Sequence, residues 1–135
     1  MSMGYGAYAN LVHFDDDLIM YSYCCYNVNN ENYNIFEKME DGELCIDRDA
    51  LVEPEIREKI KKMPSGRRKQ IVKRIKKHVS IEELFYMGKI RVKNASGTWK
   101  TTDFGIDVMA LSILSKIFDE YQETGVIPKN VVWYS

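Results

Sequence analysis

Residues 18–28 (LIMYSYCCYNV) are apolar on both sides of an extended chain, and this constrains the fold more than any other stretch. Leu18, Met20, Cys24, Tyr26 and Val28 would fall on one face, and Ile19, Tyr21, Tyr23 and Cys25 on the other. The composition is β-branched and aromatic, so the run reads as a strand, and a strand apolar on both faces needs cover on both. It is therefore expected at the centre of a sheet. Residues 5–14 (YGAYANLVHF) have similar composition and are separated from it only by Asp15-Asp16-Asp17, which predicts an antiparallel hairpin. Asn27, Asn29, Asn30, Asn32 and Asn34 mark a loop after it.

The rest of the chain supplies elements to cover and extend that sheet. Residues 43–47 follow the turn signal Asp41-Gly42 and read as a short strand. Over 54–62 a helix is expected: Asp49 or Glu53 would cap it, Pro54 suits its first turn, Pro64 stops it, and Ile56, Ile60 and Met63 share a face. In residues 67–79, Ile71, Ile75 and Val79 fit either a helix or a strand. Ser80-Ile81-Glu82-Glu83 resolves this, because it is a capping box with Val79 and Leu84 as its hydrophobic staple. A helix starting at Ser80 is not already running through it, so 70–79 is expected to be a strand and 81–87 a short helix ending at Gly88. Residues 89–94 read as a further strand, with 98–101 turning back to pair with it. Thr102 or Asp103 would cap a long helix over 105–123, where Ile106, Met109, Ala110, Ile113, Leu114, Ile117, Phe118 and Tyr121 recur at threes and fours. Gly125 and Pro128 end it, and 131–134 is a last strand. The expectation is a single α+β domain over 1–135, with a mostly antiparallel sheet of about five or six strands, one long C-terminal helix and two short ones.

Composition excludes several classes. A chain of 135 residues with 45% hydrophobic and 29% charged residues can bury a core without staples. The first ten residues lack the basic start and apolar run of a signal peptide, and no stretch nears the roughly 20 apolar residues of a membrane helix. Cys24, Cys25 and Cys45 are odd in number, and the two adjacent ones would point to opposite faces of a strand. That argues for core packing in a reducing cytoplasm rather than a disulfide framework. His13 and His78 have no ligand partner at metal spacing; a half-buried strand histidine and a solvated one are expected, with no metal and no cofactor. There is no Walker-type loop, and Gly4-Tyr5-Gly6 lacks the context of a dinucleotide motif. Pro64-Ser65-Gly66, ahead of Arg67, Arg68 and Lys69, reads as a turn before a charged strand rather than a phosphate cradle. No catalytic signature is present, and the chain is not expected to be an enzyme.

Charge is sorted by position. Residues 1–55 carry twelve acids against Lys38 and Arg48, whereas residues 56–78 carry eleven Lys or Arg against Glu58 alone. The net charge of −1 thus conceals two strong, opposite blocks, an arrangement suited to electrostatic contact with a partner, with the chain itself, or both. The basic block could neutralise several phosphates, with Arg67, Arg68, Lys69, Lys73, Arg74, Lys76 and Lys77 as the candidate contacts. It contains no aromatic residue to stack on bases, and the sequence pI of about 6.1 is low for a nucleic-acid-binding domain.

Six of the nine tyrosines lie in the first 33 residues, among the acids. Tyrosine gives a large contact area for little entropy lost, and carboxylates beside it would steer a basic protein into place. Asp15, Asp16, Asp17, Glu31, Glu37, Glu40, Asp41 and Glu43 are the candidate electrostatic contacts, and Tyr21, Tyr23, Tyr26 and Tyr33 the candidate anchors. In size, charge layout and lack of a catalytic motif, the chain resembles the immunity proteins of bacterial toxin–immunity pairs, including those of contact-dependent growth inhibition. Residues 63–69 (MPSGRRK) and Gly105-Ile106-Asp107 with the following helix are similar to small bacterial proteins. The immunity resemblance implies a cytoplasmic inhibitor that binds a basic toxin domain, such as a nuclease, tightly and one-to-one; it carries no residue-level assignment. The alternative is a nucleic-acid-binding module built on residues 57–77.

Overall fold

A computed structural model describes residues 4–27 and 40–134. Strands β1 (Tyr5–Phe14) and β2 (Leu18–Asn27) form the expected hairpin, with Ala7 opposite Cys25 and Ala9 opposite Tyr23, and a bulge between Leu11 and His13. β3 (Gly42–Asp47), β6 (Ile90–Lys93) and β7 (Asn130–Tyr134) complete an antiparallel sheet in the order β6-β3-β2-β1-β7. β2 is its central strand. That is the place the apolar run at 18–28 implied, and the molecule is α+β, as the mix of hairpins and one long helix implied.

The face of β2 bearing Ile19, Tyr21, Tyr23 and Cys25 is fully buried under the long helix α2 (Val108–Thr124), which packs mainly over β7 and β1. Ala7 and Ala9 on β1 leave room for the helix backbone, and the larger tyrosines on β2 fill the space beside it. On the opposite face of β2, Cys24 is buried and Met20, Ser22 and Tyr26 are half-buried.

Caps follow local chemistry. Ser80 accepts from the Glu83 backbone N–H and starts the short helix α1 (Ile81–Tyr86), with Val79 and Leu84 packed on the core as the staple requires. Gly125 ends α2 in the left-handed region at φ +73°. The start of α2 differs from expectation. Thr102 and Ile106 close a turn on each other through Gly105 at φ +89°, so Asp107, not Thr102 or Asp103, becomes the N-cap.

Two further expectations are corrected. Residues 98–101 do not pair with β6; the Trp99 ring packs edge-on against Tyr5, and Thr101 bridges Asp107. The helix expected over 54–62 is instead strand β4 (Glu55–Lys62), and it pairs with β5 (Arg68–Ile75) in a separate two-stranded sheet. Ile56 and Ile60 share a face at either period, and Glu55/Lys59 and Glu58/Lys62 have helix-favouring spacing, so local signals alone pointed the wrong way. The deciding factor is a partner strand across a tight turn. Gly66 donates to the Met63 carbonyl at 2.9 Å with φ +84°, and Met63 N–H meets the Arg67 carbonyl at 2.7 Å. Pro64-Ser65-Gly66 is thus the loop of a hairpin. The main sheet has five strands, as the expected five or six allow, with β4 and β5 forming a second sheet beside it; the described residues hold one short α-helix besides the 3₁₀ turn Arg48–Ala50.

Candidate functional site

The β4–β5 hairpin, hereafter the arm, concentrates the chain's positive charge. From Glu55 to Ile75 it carries nine bases (Arg57, Lys59, Lys61, Lys62, Arg67, Arg68, Lys69, Lys73 and Arg74) against Glu55 and Glu58. The arm is therefore +7, leaving −8 on the rest of a chain whose net charge is −1. Neither face packs on the main sheet. Only Ile71 and Ile75 are half-buried; the other described side chains on the two strands are exposed.

Register sets cation against cation. Arg57 lies opposite Lys73, Lys61 opposite Lys69 and Lys62 opposite Arg68. Residues paired in an antiparallel ribbon project to the same side, and like charges placed so are destabilising. Among the described side chains only Arg57 gains a carboxylate on the arm, with its Nε 3.1 Å from Glu55 Oε1. Arg67, Arg68, Lys69, Lys73, Lys59 and Lys62 form no ion pair among the described residues. A groove of about 670 Å³ runs along the arm, lined by Arg57, Glu58, Lys59, Ile71, Lys73 and Ile75. The arm also exposes Ile56, Ile60 and Val72, each more than half accessible.

The base of the arm is tied to the C-terminal end of α2. Gln122 is buried; its amide donates to the Lys77 carbonyl at 2.9 Å and accepts from the Lys77 N–H at 2.7 Å. Lys76 Nζ lies 2.6 Å from Glu123, and Tyr121 donates to Glu53. Arg74 sits against Gly125, where its charge complements the negative end of the helix. Of the seven basic candidates, Arg67, Arg68, Lys69 and Lys73 are thus free on the arm, Arg74 and Lys76 serve the anchor, and Lys77 follows the strand. Arg57, Lys59 and Lys62 on β4 were missed because β4 was read as a helix. Two basic runs flanking Pro64-Ser65-Gly66 were the hairpin signal that could have found them.

The acidic candidates divide differently. Asp15, Asp16 and Asp17 are exposed at the β1–β2 turn. Asp15 accepts from the Asp17 and Leu18 amides at 2.8 Å and lies 3.0 Å from His13 Nε2. These bonds, that to His13 foremost, pull its pKa down to about 2. His13 is exposed rather than half-buried. Glu40 accepts from Asn10, and Asp41 accepts from the backbone and hydroxyl of Ser96. Asp16, Asp17 and Glu43 form no ion pair among the described residues, and the arm neutralises none of these acids. Asp47 and Asp49 pair with Arg91 and Lys89. Glu31, Tyr33 and Glu37 lie outside the described residues.

Tyr21 and Tyr23 are corrected as surface anchors. Both are buried, because on β2 they face α2, and each hydroxyl is committed inside the molecule. Tyr21 donates to the Pro128 carbonyl at 2.5 Å; Tyr23 donates to Asp107 Oδ2 at 2.9 Å and accepts from the Ala95 N–H at 2.9 Å. Burial pushes both phenols far above their usual range. Tyr26 is half-buried. Asp107 is itself buried and also receives Thr98 at 3.0 Å, the Cys25 thiol at 3.3 Å and the Met109 N–H at 3.0 Å. With every bond directed inward, this cluster locks α2 to the sheet.

A cavity of about 270 Å³ is lined by His78, Ser115 and Asp119 together with Lys77, but no hydrogen bond links any two of His78, Ser115 and Asp119, so the geometry of a nucleophilic triad is not formed. A cleft of about 480 Å³ beside Tyr5, Trp99 and Trp133 has Lys100 as its one ionisable lining residue besides Tyr5 among those described. Among the described residues no group of three His, Cys, Asp or Glu is placed to hold a metal, and no helix is long and apolar enough to cross a membrane. No family model matches the chain, and neither a curated protein nor a solved structure matches it.

Proposed function

We propose that this chain is a binding protein rather than a catalyst, that its working element is the β4–β5 arm, and that its partner is a nucleic acid held through phosphate charge. The observation that carries this reading is the facing of cations (Arg57/Lys73 and Lys62/Arg68) on a ribbon with almost no carboxylate to balance them. A two-stranded ribbon is marginal on its own in water, and same-sign pairs weaken it further. Scattered lysines guard exposed strand edges against aggregation, but charges of mixed sign do so without self-repulsion. A single-sign field serves to attract its opposite, and phosphates in series supply that. The remaining −8 keeps a polyanion off the body and directs it to the arm.

Anisotropy titrations of the full chain against a labelled 20-nucleotide duplex at two salt concentrations test this. If about five of the nine cations meet phosphates, affinity falls about 500-fold between 50 and 200 mM salt. Arg67→Ala/Arg68→Ala/Lys69→Ala should flatten that slope by roughly three cation equivalents. No binding at 50 mM, or wild-type binding by the triple variant, overturns the proposal.

A second reading is kept because Asp15, Asp16 and Asp17 stay exposed and unneutralised by the arm. It is the toxin-neutralising immunity protein of the contact-dependent growth inhibition type, meeting a basic toxin domain with this turn and with Glu40, Asp41 and Glu43. Co-expression with a basic toxin encoded by the neighbouring gene tests it. Rescue by wild type and loss of rescue by Asp15→Lys/Asp16→Lys/Asp17→Lys supports it; equal rescue by both dismisses the turn as the contact.

A further inference from the structure

We infer that the arm takes B-form duplex DNA through the major groove, in preference to single strands or an A-form helix; this rests on the reading of the arm as a nucleic-acid-binding element. Three features of the arm separate these ligands.

The first is shape. Among the described residues the arm is two strands wide, with no third strand, and it meets α2 only at its base, where Arg74 sits against Gly125. Strand axes lie about 4.8 Å apart, and eight residues extend about 27 Å. A B-form major groove roughly 12 Å wide admits such a ribbon. The major groove of A-form RNA is too deep and narrow for side chains to read.

The second is the absence of stacking groups. Single-stranded nucleic acid is held chiefly by bases stacking on aromatic rings. Between residues 55 and 75 there is no Phe, Tyr, Trp or His. The arm has charge for a strand's phosphates but nothing for its bases.

The third is the face that carries Ile60, Gln70 and Val72. Ile60 and Gln70 are directly opposite each other, and Val72, paired with Glu58, is the next position on that face of β5. Ile60 is 66% and Val72 57% accessible, apolar surface left in water on an otherwise charged element. A carboxamide beside branched aliphatic groups is the chemistry that reads base edges: Gln can pair with adenine N6 and N7, and apolar groups meet the thymine methyl. Arg68 and Lys62, paired one step nearer the loop on the same face, bring cations to guanine or the flanking phosphates. The long stems of Lys69 and Lys73 on the other face can reach around the ribbon to the phosphate walls.

The test uses the full chain and four 20-mers of one sequence: duplex DNA, single-stranded DNA, duplex RNA, and duplex DNA with bulky groups on cytosine C5 that fill the major groove. Plain duplex DNA should bind about tenfold or more tighter than each of the others. Ile60→Ala/Gln70→Ala, both on exposed positions, should weaken plain duplex binding about tenfold and leave single-stranded DNA unchanged. Equal or tighter binding of single strands or RNA, indifference to the C5 groups, or equal loss on both ligands by the double variant overturns the duplex assignment while leaving the arm's nucleic-acid role intact. Failure of all four ligands at 50 mM salt removes both.

Discussion

Replacing Tyr23 with Phe deletes one oxygen atom and tests whether this tyrosine belongs to the interior or to a docking surface. The hydroxyl donates to Asp107 Oδ2 and accepts from the Ala95 N–H, both at 2.9 Å. Tyr23 is 0% and Ala95 4% exposed, so water cannot replace either bond without rearrangement. A buried N–H left without a partner costs about 1–3 kcal/mol, and a lost hydrogen bond about 1 kcal/mol net. Asp107 keeps Cys25, Thr98 and the Met109 N–H, which limits the damage on that side. The expected loss is therefore about 3 kcal/mol, a large part of the roughly 5–15 kcal/mol available to a domain of this size. With a urea m-value near 2 kcal/mol/M, the midpoint should fall by about 1.5 M with the slope unchanged. Equilibrium unfolding followed by far-ultraviolet circular dichroism reads this directly, with Tyr134→Phe as the control because Tyr134 is 70% exposed. If the two variants shift the midpoint equally, the inward-facing hydrogen-bond cluster is not what joins α2 to the sheet.

Other outcomes follow from the same structure. Gly42→Ala places a Cβ 2.2 Å from Tyr23 Cε1, against a ring held by two hydrogen bonds; a loss of about 1–3 kcal/mol and a lower melting temperature are expected. In native protein an alkylating agent should modify half-buried Cys45 first, and buried Cys24 and Cys25 only after urea unfolding, as peptide mass mapping would show. Burial raises all three thiols, so even Cys45 should react slowly at neutral pH. Asp15 has a folded pKa near 2, below its ordinary 3.8, so its stabilising effect is complete above about pH 4 and lost as pH falls toward 2. Acid titration of Asp15→Asn should flatten stability against pH in that window, and an unchanged curve would remove the role given to His13 and the two amides. Gln122→Ala frees the Lys77 N–H and carbonyl. Hydrogen exchange at the end of β5 should quicken about tenfold or more while β1 and β2 stay protected.

The chain alone determined the elements whose signals are local or self-consistent. β2 is central because both its faces are apolar, and the acidic turn makes a hairpin because the flanking strands match. Ser80 and Gly125 set helix ends because a cap is satisfied within four residues. The charge blocks were also plain at that level, since charge is a property of composition. Tertiary structure decided what depended on a distant partner. Glu55–Lys62 has helical spacing and Glu–Lys pairs, but the strand across Pro64-Ser65-Gly66 satisfies its backbone and makes it half of an arm. Tyr21 and Tyr23 carry the composition of an interface, yet they face α2 because a period-two strand places alternate residues inward, and only packing reveals which alternate set that is. Asp107 was read as one helical residue among many; the turn through Gly105 moved the cap onto it and drew three β-strand and loop donors to one carboxyl oxygen. Which charges remain free was settled last, because an ion pair joins residues far apart in sequence and only the folded distances tell a neutralised carboxylate from an open one.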